Sequence, residues 1–318
     1  MKRVRRVACI GECMIEMSDW DPAAGTARVG FAGDVLNTAV YLARLLHDRD
    51  VDICFVSNVG TDGFSDRMVA QWEEEGIDCR LVGRRADRLP GVYAIETDAA
   101  GERFFRYWRS ESAARTLFAG PGPGPGPGPE LHELAAFDAI YLSGVTLAVL
   151  SPAVREALVE SAKELRARGG VVAFDGNYRP VLWPDVATAR EALDRMWAHS
   201  TIALPSADDE AAVNPGCDPA SRIAALGATE IAVKRGSAGP LLWPGADDEN
   251  GYAATTSVID TTGAGDGFNA GYIAARLTGR DRAAAAAAGH ALARVIVGHR
   301  GAILPRSAFD AAAGEIAA

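Results

Sequence analysis

Short apolar runs alternate with longer stretches of helical periodicity along most of the chain, and this alternation constrains the fold more than any other feature. The runs are rich in valine and isoleucine, and they cover residues 7–10, 52–56, 139–142, 171–174, 202–204 and 231–233. Apolar residues three or four positions apart predict amphipathic helices over 35–46, 66–75, 152–168, 187–199 and 219–226. Since parallel strands need crossover connections that are usually helical, we expect an α/β fold with a central, mostly parallel sheet flanked by helices.

Two segments, about 13–33 and 90–112, interrupt this alternation. The second has aromatic runs on both sides of a turn-prone stretch at 98–101, which is typical of a β-hairpin. We expect both segments to form antiparallel strands outside the central sheet, as one small β-sheet lid over a ligand site. With 318 residues, the chain is long enough for one large α/β domain that carries such a lid. We therefore predict a single domain over 1–318.

Two stretches of low complexity differ in what they predict. Glycine and proline alternate strictly over 120–129. Because proline lacks a backbone amide and glycine raises backbone entropy, this stretch is predicted to be a linker loop. The alanines at 283–288 lie among helix-compatible neighbours. Since alanine is the best helix former, they predict a buried or closely packed helix.

The net charge of -10 at pH 7 bears on the partners of the chain. Sequence-independent binding of nucleic acid needs a basic face, so this charge argues against it. No stretch approaches the roughly 20 consecutive apolar residues that span a bilayer. The five cysteines form no C-x-x-C pair, which is typical of free thiols in a reducing compartment. We expect a cytoplasmic protein without nucleic-acid or membrane partners.

The strongest chemical signal is the string D-T-T-G-A-G-D-G-F-N-A-G-Y at 260–272, a turn of small residues that leads into a helix. Such a turn presents free backbone amides at the positive end of a helix, where anions bind. Gly263, Ala264 and Gly265 have no side chain that would keep a phosphate away. Asp266 adds a carboxylate that can take the proton of an attacking hydroxyl. An aspartate in a first helical turn can also merely complement the helix dipole.

The whole string resembles the C-terminal signature of the ribokinase-like (phosphofructokinase B) family of carbohydrate kinases. The resemblance implies the ribokinase-like fold, with ATP and Mg²⁺ as cofactors. It also implies that Asp266 is the catalytic base. The amides of Gly263, Ala264 and Gly265 would form the anion hole.

A second element of that family lies near the N-terminus, in F-A-G-D-V-L-N-T-A at 31–39. Members usually carry two glycines here, and Ala32 replaces the first. The resemblance implies that Gly33, Asp34 and Asn37 contact the sugar. An ordinary helix start capped by Asp34 is the alternative interpretation.

Flanking stretches narrow the resemblance to those members of the family that phosphorylate ketodeoxy sugar acids. They are G-E-C-M-I-E at 11–16, L-P-G-V-Y at 89–93, Y-W-R at 107–109 and D-G-N-Y-R-P at 175–180. The resemblance implies phosphorylation by ATP of the terminal hydroxyl of 2-dehydro-3-deoxy-D-gluconate to the 6-phosphate. It also implies that Tyr93, Tyr107 and Arg109 bind the acid, and that Arg179 bridges the substrate and the transferred phosphate. A substrate carboxylate needs cations, which Arg109 and Arg179 supply. A solvated strand charge is the alternative for Arg109.

The nucleotide and metal sites have weaker signals. The turn K-R-G-S-A-G at 234–239 resembles the ATP-binding turn of the family. We expect ATP to contact Asn177, Lys234, Gly236, Gly239, Gly263 and Gly265. His290 and Arg294 are expected near the adenine.

The asparagine of the family's Asn-x-x-Glu metal element is absent, so Asp209 or Glu210 would organise magnesium through water, unless both belong to a plain acidic helix start.

Two alternatives to a sugar-acid kinase stay open. One keeps the kinase reaction and changes the substrate: the enzyme is a fructokinase or ribokinase that acts on a neutral sugar, or a kinase of an epimeric ketodeoxy acid. The other is a non-catalytic sensor of sugar acids, against which the intact Gly263 to Asp266 motif argues. Exposed strand edges and aromatics of the lid also predict a homo-oligomer that associates through it.

Overall fold

Two β-sheets and their surrounding helices make up the structure. The computed structural model describes residues 3–97, 103–120, 122–124, 128–244, 251–253, 255 and 257–317. The strands in the described residues are β1 (Arg6–Ile10), β2 (Met14–Asp21), β3 (Thr26–Ala32), β4 (Asp52–Gly60), β5 (Val82–Arg85), β6 (Gly91–Thr97), β7 (Arg103–Trp108), β8 (Ala139–Ser143), β9 (Val171–Asp175), β10 (Ile202–Ala203), β11 (Glu230–Val233) and β12 (Leu241–Trp243). The α-helices are α1 (Asp34–Leu46), α2 (Gly63–Glu74), α3 (Gly144–Val149), α4 (Pro152–Ala167), α5 (Val186–Trp197), α6 (Ala207–Val213), α7 (Pro219–Leu226), α8 (Ala264–Leu277), α9 (Arg282–Val297), α10 (Arg306–Ala311) and α11 (Ala313–Ala317).

The larger sheet has eight strands in the order β12-β11-β10-β9-β8-β1-β4-β5. Its neighbours pair in parallel, except that the edge strand β12 runs antiparallel to β11. The predicted α/β fold with a mostly parallel central sheet is therefore confirmed. The short edge strand β5 was not predicted, because its Val-Gly-Arg-Arg sequence lacks the apolar run of a buried strand.

Apolar side chains on the two faces of the larger sheet belong to two separate buried clusters. On β1, Val7 and Cys9 point into one cluster, whereas Ala8 and Ile10 point into the other. This division follows from the two-residue period of a strand. Helices α1, α8 and α9 cover the first face, and α4, α5 and α7 cover the second.

The predicted alanine helix lies inside α9 and packs closely on α8. Ala285 and Ala286 are fully buried. A Cβ at Gly271 would lie 2.8 Å from the carbonyl oxygen of Ala288, and a Cβ at Gly289 would lie 2.6 Å from that of Phe268. The small side chains thus allow the two helices to approach at backbone distance.

The smaller sheet has the strand order β3-β2-β6-β7 and contains the two segments that interrupt the alternation. The hairpins β2–β3 and β6–β7 are antiparallel, as predicted, but β2 and β6 pair in parallel. This parallel pair joins segments that are distant in sequence, so the turn signals of neither hairpin could predict it. That the smaller sheet closes over a ligand stays a prediction.

The described part of the glycine-proline stretch lies alongside the end of strand β5. The amide of Ala86 donates to the carbonyl oxygen of Pro123 at 2.7 Å. A Cβ at Gly124 would lie 2.0 Å from the carbonyl oxygen of Arg84, so the backbones nearly touch. Residues 121 and 125–127 lie outside the described residues, and the role of 120–129 as a linker stays a prediction. Across the described part of the chain, no helix is both long and apolar enough to cross a membrane.

Candidate active site

A cleft of about 2210 Å³ lies between the carboxyl ends of the larger sheet and the smaller sheet. The larger sheet contributes Asp175 at the end of β9, Asn177 after β9, and Lys234 after β11. The smaller sheet contributes Tyr93 and Tyr107. Ligands of open α/β sheets bind at this edge, because the loops that follow parallel strands converge there.

The turn before α8 is held by its own side chains and by one close backbone contact. Asp260 accepts hydrogen bonds from the amide of Thr262 at 3.0 Å and from the amide of Gly301 at 2.8 Å. Gly263 has a φ of 77°, and a Cβ there would lie 2.6 Å from the carbonyl oxygen of Ala302. A glycine is therefore required at this position, both for its conformation and for its small size.

This turn delivers the first amides of α8 to the cleft. Gly263, Ala264 and Gly265 all line it, and their role as an anion hole stays a prediction. The first amides of a helix have no partner within the helix. The amide of Ala264 nevertheless donates to the carbonyl oxygen of Thr261 at 3.2 Å. An incoming anion would compete with this turn bond for the amide of Ala264.

Asp266 lies in the first turn of α8, where its carboxylate meets helix α1. Asn37 Nδ2 donates to Asp266 Oδ2 at 2.8 Å. The hydroxyl of Thr38 donates to the backbone carbonyl oxygen of Asp266 at 3.2 Å. Burial raises the pKa of Asp266 to about 7, and the nearby negative charge of Asp34 acts in the same direction. A carboxyl with this pKa exchanges its proton near neutral pH, as a general base must.

A buried polar network lies beneath the start of α8, and most of it was not predicted. Asp175 Oδ2 accepts hydrogen bonds from Lys234 Nζ at 2.7 Å and from Asn269 Nδ2 at 2.6 Å. Lys234 Nζ also donates to Asn269 Oδ1 at 3.1 Å, and Asn269 Nδ2 donates to the hydroxyl of Tyr141 at 3.0 Å. The signal that could have indicated Asp175 is its place at the end of a buried strand. Lys234, predicted as an ATP contact, is only 13% exposed and points into this network.

The predicted sugar contacts lie at the start of α1. A Cβ at Gly33 would lie 2.1 Å from the carbonyl oxygen of Glu12, so only glycine fits between α1 and the end of β1. Asp34 accepts a hydrogen bond from Asn177 Nδ2 at 2.5 Å. Asn177, predicted to contact ATP, thus lies against a residue that was predicted to contact the sugar.

The smaller sheet presents an aromatic group and a buried ion pair to the cleft. The rings of Tyr93 and Tyr107 lie 5.8 Å apart, and the Tyr93 hydroxyl donates to the carboxylate of Glu16. Arg109 forms an ion pair with Glu12, in which the side chains are 9% and 1% exposed. Glu12 was not predicted as a partner, because 97 positions of sequence separate it from Arg109.

Three further predicted residues, Arg179, Asp209 and Glu210, differ in where they point. Arg179 is half-exposed in the cleft, and its Nη1 lies 3.6 Å from Asp209 Oδ1. Burial raises the pKa of Asp209. Glu210 does not line the cleft; its carboxylate is buried and bound by Arg222 Nη2 at 2.5 Å. The structure therefore brings Asp209, and not Glu210, to the cleft.

The predicted nucleotide turn also lines the cleft. Gly236 and Gly239 have φ values of 54° and 76°, which favour glycine. His290 and Arg294 of α9 lie on the same stretch of wall. The ring of His290 lies 5.1 Å from that of Tyr252, which also approaches Gly239. Within the described residues, no group of three histidine, cysteine, aspartate or glutamate side chains could hold a metal by itself.

Comparison with known proteins gives consistent matches along the chain. Residues 4–308 match the model of the pfkB family of carbohydrate kinases. A 2-dehydro-3-deoxygluconokinase from Escherichia coli K12 is 41% identical over 314 residues, which cover 96% of this chain and 99% of the relative. A 2-dehydro-3-deoxygluconokinase from Dickeya dadantii is 40% identical over the same shares of both chains.

A solved structure agrees with these matches. The crystal structure of a PfkB protein from Polaromonas sp. JS666 has a TM-score of 0.76 and 26% sequence identity. The match covers 97% of this chain and 99% of that one. The likeness therefore extends over both sheets and the helices that surround them.

Proposed function

Because the chain belongs to the pfkB family of carbohydrate kinases, we propose that it transfers the γ-phosphoryl group of ATP to the terminal hydroxyl of 2-dehydro-3-deoxy-D-gluconate and forms the 6-phosphate. As a member of this family the chain is a sugar kinase. The observation that carries the finer proposal is one shared cleft. It holds the buried carboxylate of Asp266 beside the amides of α8, and the group of Tyr93, Tyr107 and Arg109.

In the proposed reaction, Asp266 takes the proton of the substrate hydroxyl. The hydroxyl oxygen then forms a bond to the γ-phosphorus as the bond from that phosphorus to the β-bridging oxygen breaks, and ADP leaves with that electron pair. The amides of 263–265 and the guanidinium of Arg179 stabilise the negative charge that develops on the transferred group. The hydrogen bond from Asn37 to Asp266 supports this role, because it fixes the carboxylate in the cleft.

The residues of the cleft fit a magnesium nucleotide. Asp209 would hold magnesium through water, while the phosphate oxygens of ATP complete the oxygen ligands that this ion prefers. When bound, magnesium neutralises phosphate charge. Lys234 supplies a further cation next to the anion hole, since its Nζ lies 3.8 Å from the position of a Cβ at Gly265. Gly236, Gly239, His290 and Arg294 would lie along the rest of the nucleotide.

The carboxylate of the substrate is proposed to bind at the smaller sheet. Arg109 supplies a guanidinium fork that matches carboxylate geometry, and Glu12 orients that fork. The hydroxyl of Tyr107 and the side chains of Asp34 and Asn37 at the start of α1 would bind the remaining oxygens of the sugar acid. Closure of the smaller sheet as a lid would exclude water from the transferred phosphoryl group.

The proposal is tested by ATP consumption of the purified protein with magnesium. The substrates are 2-dehydro-3-deoxygluconate, its galactonate epimer, fructose and ribose at equal concentrations. We expect kcat/KM for the acids to exceed that for the neutral sugars by about a hundredfold or more, since a neutral sugar has no carboxylate to accept the charge-assisted hydrogen bonds of the Arg109 fork. A preference for fructose or ribose would refute the sugar-acid proposal and leave the kinase reaction. Absence of turnover with all four sugars would favour a sensor.

A further inference from the structure

Arg115 is an arginine of the cleft that the reaction described above does not use. It lies in the short 3₁₀ helix Ala113–Thr116, which follows strand β7 and Arg109. Its side chain lines the cleft and is partly buried. Within the described part of the chain, no acidic group and no hydrogen-bond acceptor contacts its guanidinium.

The other cationic side chains that line the cleft all have partners. The ion pairs are Arg106 with Glu96, Arg109 with Glu12, Arg179 with Asp209, Lys234 with Asp175 and Arg294 with Glu315. Arg235 donates to the carbonyl oxygen of Gly239. The positive charge of Arg109 in particular is already neutralised by a buried carboxylate. An acidic ligand at the smaller sheet therefore needs a further cation to balance its charge.

The backbone that carries Arg115 is firmly held. The amide of Ala113 donates to the carbonyl oxygen of Leu89 at 2.8 Å. Asn58 Nδ2 donates to the hydroxyl of Thr116 at 3.0 Å. Ala113 and Ala114 are buried against strand β4. A rigid base loses little freedom when its side chain binds a ligand, which favours a preorganised site.

The position of Arg115 separates it from the phosphate site. Its helix packs on β4, whereas Asp175 ends β9 and Lys234 follows β11. In the larger sheet, β1 and β8 lie between β4 and β9. This separation argues against a phosphate of ATP at the proposed anion hole as the partner of Arg115.

We propose that Arg115 is a specificity-determining residue that binds the carboxylate of the substrate together with Arg109. The inference rests on the proposed function, because it assumes an acidic substrate. A partly buried guanidinium without a partner is unfavourable until an anion pairs with it. Arg109 then supplies oriented hydrogen bonds. Arg115 supplies the positive charge that balances the substrate carboxylate, because Glu12 already neutralises Arg109.

The test compares Arg115→Ala, Arg115→Gln and Arg115→Lys with the wild type. For the two variants without the charge, we expect the KM for 2-dehydro-3-deoxygluconate to rise about tenfold to a hundredfold. The KM for ATP and kcat should change less than threefold. Arg115→Lys should lie between these variants and the wild type, because it keeps the charge and loses the fork. Arg106→Ala is the matched control, since Arg106 also lines the cleft but is paired with Glu96; its KM for the acid should stay within threefold.

Binding of the acid without ATP, measured by calorimetry at two salt concentrations, gives a second readout. Affinity of the wild type should fall more steeply with salt than that of Arg115→Gln, because one charge contact is missing in the variant. If the wild type uses the acid and the KM of Arg115→Gln is within twofold of the wild-type value, the proposed role of Arg115 is overturned and the proposed function stands. Wild type that does not prefer acids would refute the proposed function and this inference with it. Circular dichroism checks that each variant is folded, and the long Gln and Lys side chains decide the outcome if Arg115→Ala is not.

Discussion

At the scale of single residues, the pKa of Asp266 links the fold to the chemistry. A solvent-exposed aspartate is a weak base at neutral pH, whereas burial beside Asp34 raises the pKa of Asp266 to about 7. The hydrogen bond from Asn37 lowers the pKa of Asp266 and so opposes this shift, because it stabilises the deprotonated carboxylate. The proton affinity of this carboxylate thus suits the proposed role of Asp266 as a base near neutral pH.

The rate should follow this titration. We expect log kcat/KM to rise with unit slope as the pH increases toward about 7 and to level off above it, because the deprotonated form of Asp266 is the active one. Asp266→Asn should lower kcat by about a hundredfold to ten-thousandfold and abolish the titration, while ATP still binds. Initial rates between pH 5 and 9 measure this. Near-normal turnover of the variant would exclude Asp266 as the base.

Stability should change with pH in the opposite direction. The pKa of Asp266 is raised above its ordinary value of 3.8, so the folded state binds this proton more tightly than the unfolded state. Its contribution to the free energy of unfolding is therefore full below pH 3.8 and is lost as the pH rises through about 7. Asp266→Asn lacks this contribution, so urea unfolding of both proteins at pH 5 and pH 8 should show their difference.

At the scale of elements, the turn before α8 decides where the first amides of α8 lie, and with them the proposed anion hole. Its position depends on the left-handed conformation of Gly263, on the contact with Ala302 and on the hydrogen bonds to Asp260. The helix itself would form with many sequences. The direction of its first amides requires this particular turn.

Gly263→Ala should therefore damage both activity and stability. The new Cβ would lie 2.6 Å from the carbonyl oxygen of Ala302, in a backbone conformation that alanine adopts with strain. We expect a loss of about 2 kcal/mol in the free energy of unfolding, and a loss of turnover of more than tenfold as the amides move.

Gly279→Ala is the matched control for this element. Gly279 follows the opposite end of α8 with a φ of 90°, and a Cβ there would meet no atom within 4 Å. It should cost about 1 kcal/mol of stability through strain alone and leave turnover unchanged. Equal turnover of the two variants would contradict the role of the turn. Chemical denaturation and steady-state kinetics provide the two measurements.

At the scale of the whole molecule, the buried polar network around Asp175 joins strands β8 and β9, the end of β11 and helix α8. Asp175 ends β9, Lys234 follows β11, Asn269 lies on α8 and Tyr141 lies on β8. Each buried polar group has partners in the others. The network thereby fixes α8, and with it Asp266, against the end of the sheet.

Lys234→Met should destabilise the whole domain. The substitution leaves the carboxylate of Asp175 buried and without its cation, which costs about 3–5 kcal/mol for a broken buried ion pair. Lys163→Met is the control, because the ion pair of Lys163 with Glu160 on α4 is exposed, and no measurable change is expected. The midpoint of urea unfolding measures both. A Lys234→Met protein as stable as the wild type would exclude this account of the network.

The sequence by itself determined the class of the fold, and it predicted a candidate for the base of the reaction. Alternation of apolar runs and helical patterns predicted the parallel sheet, because that periodicity is local. The same holds for the two segments of the smaller sheet and for the turn that begins α8. Asp266 could be proposed as the base for the related reason that its carboxylate and the amides of the predicted anion hole belong to one short stretch of chain.

Only the tertiary structure decided which charges meet. Glu12 and Arg109 are brought together because β1 and β7 end at the same cleft, which no local pattern encodes. Glu210, adjacent to Asp209, turns away to Arg222, since neighbouring helical positions face different directions. The case for Arg115 also depends on the tertiary structure. Within the described residues, the other cations of the cleft, such as Arg109, Arg179 and Lys234, have partners in the fold, and this makes Arg115 a candidate for binding an anion.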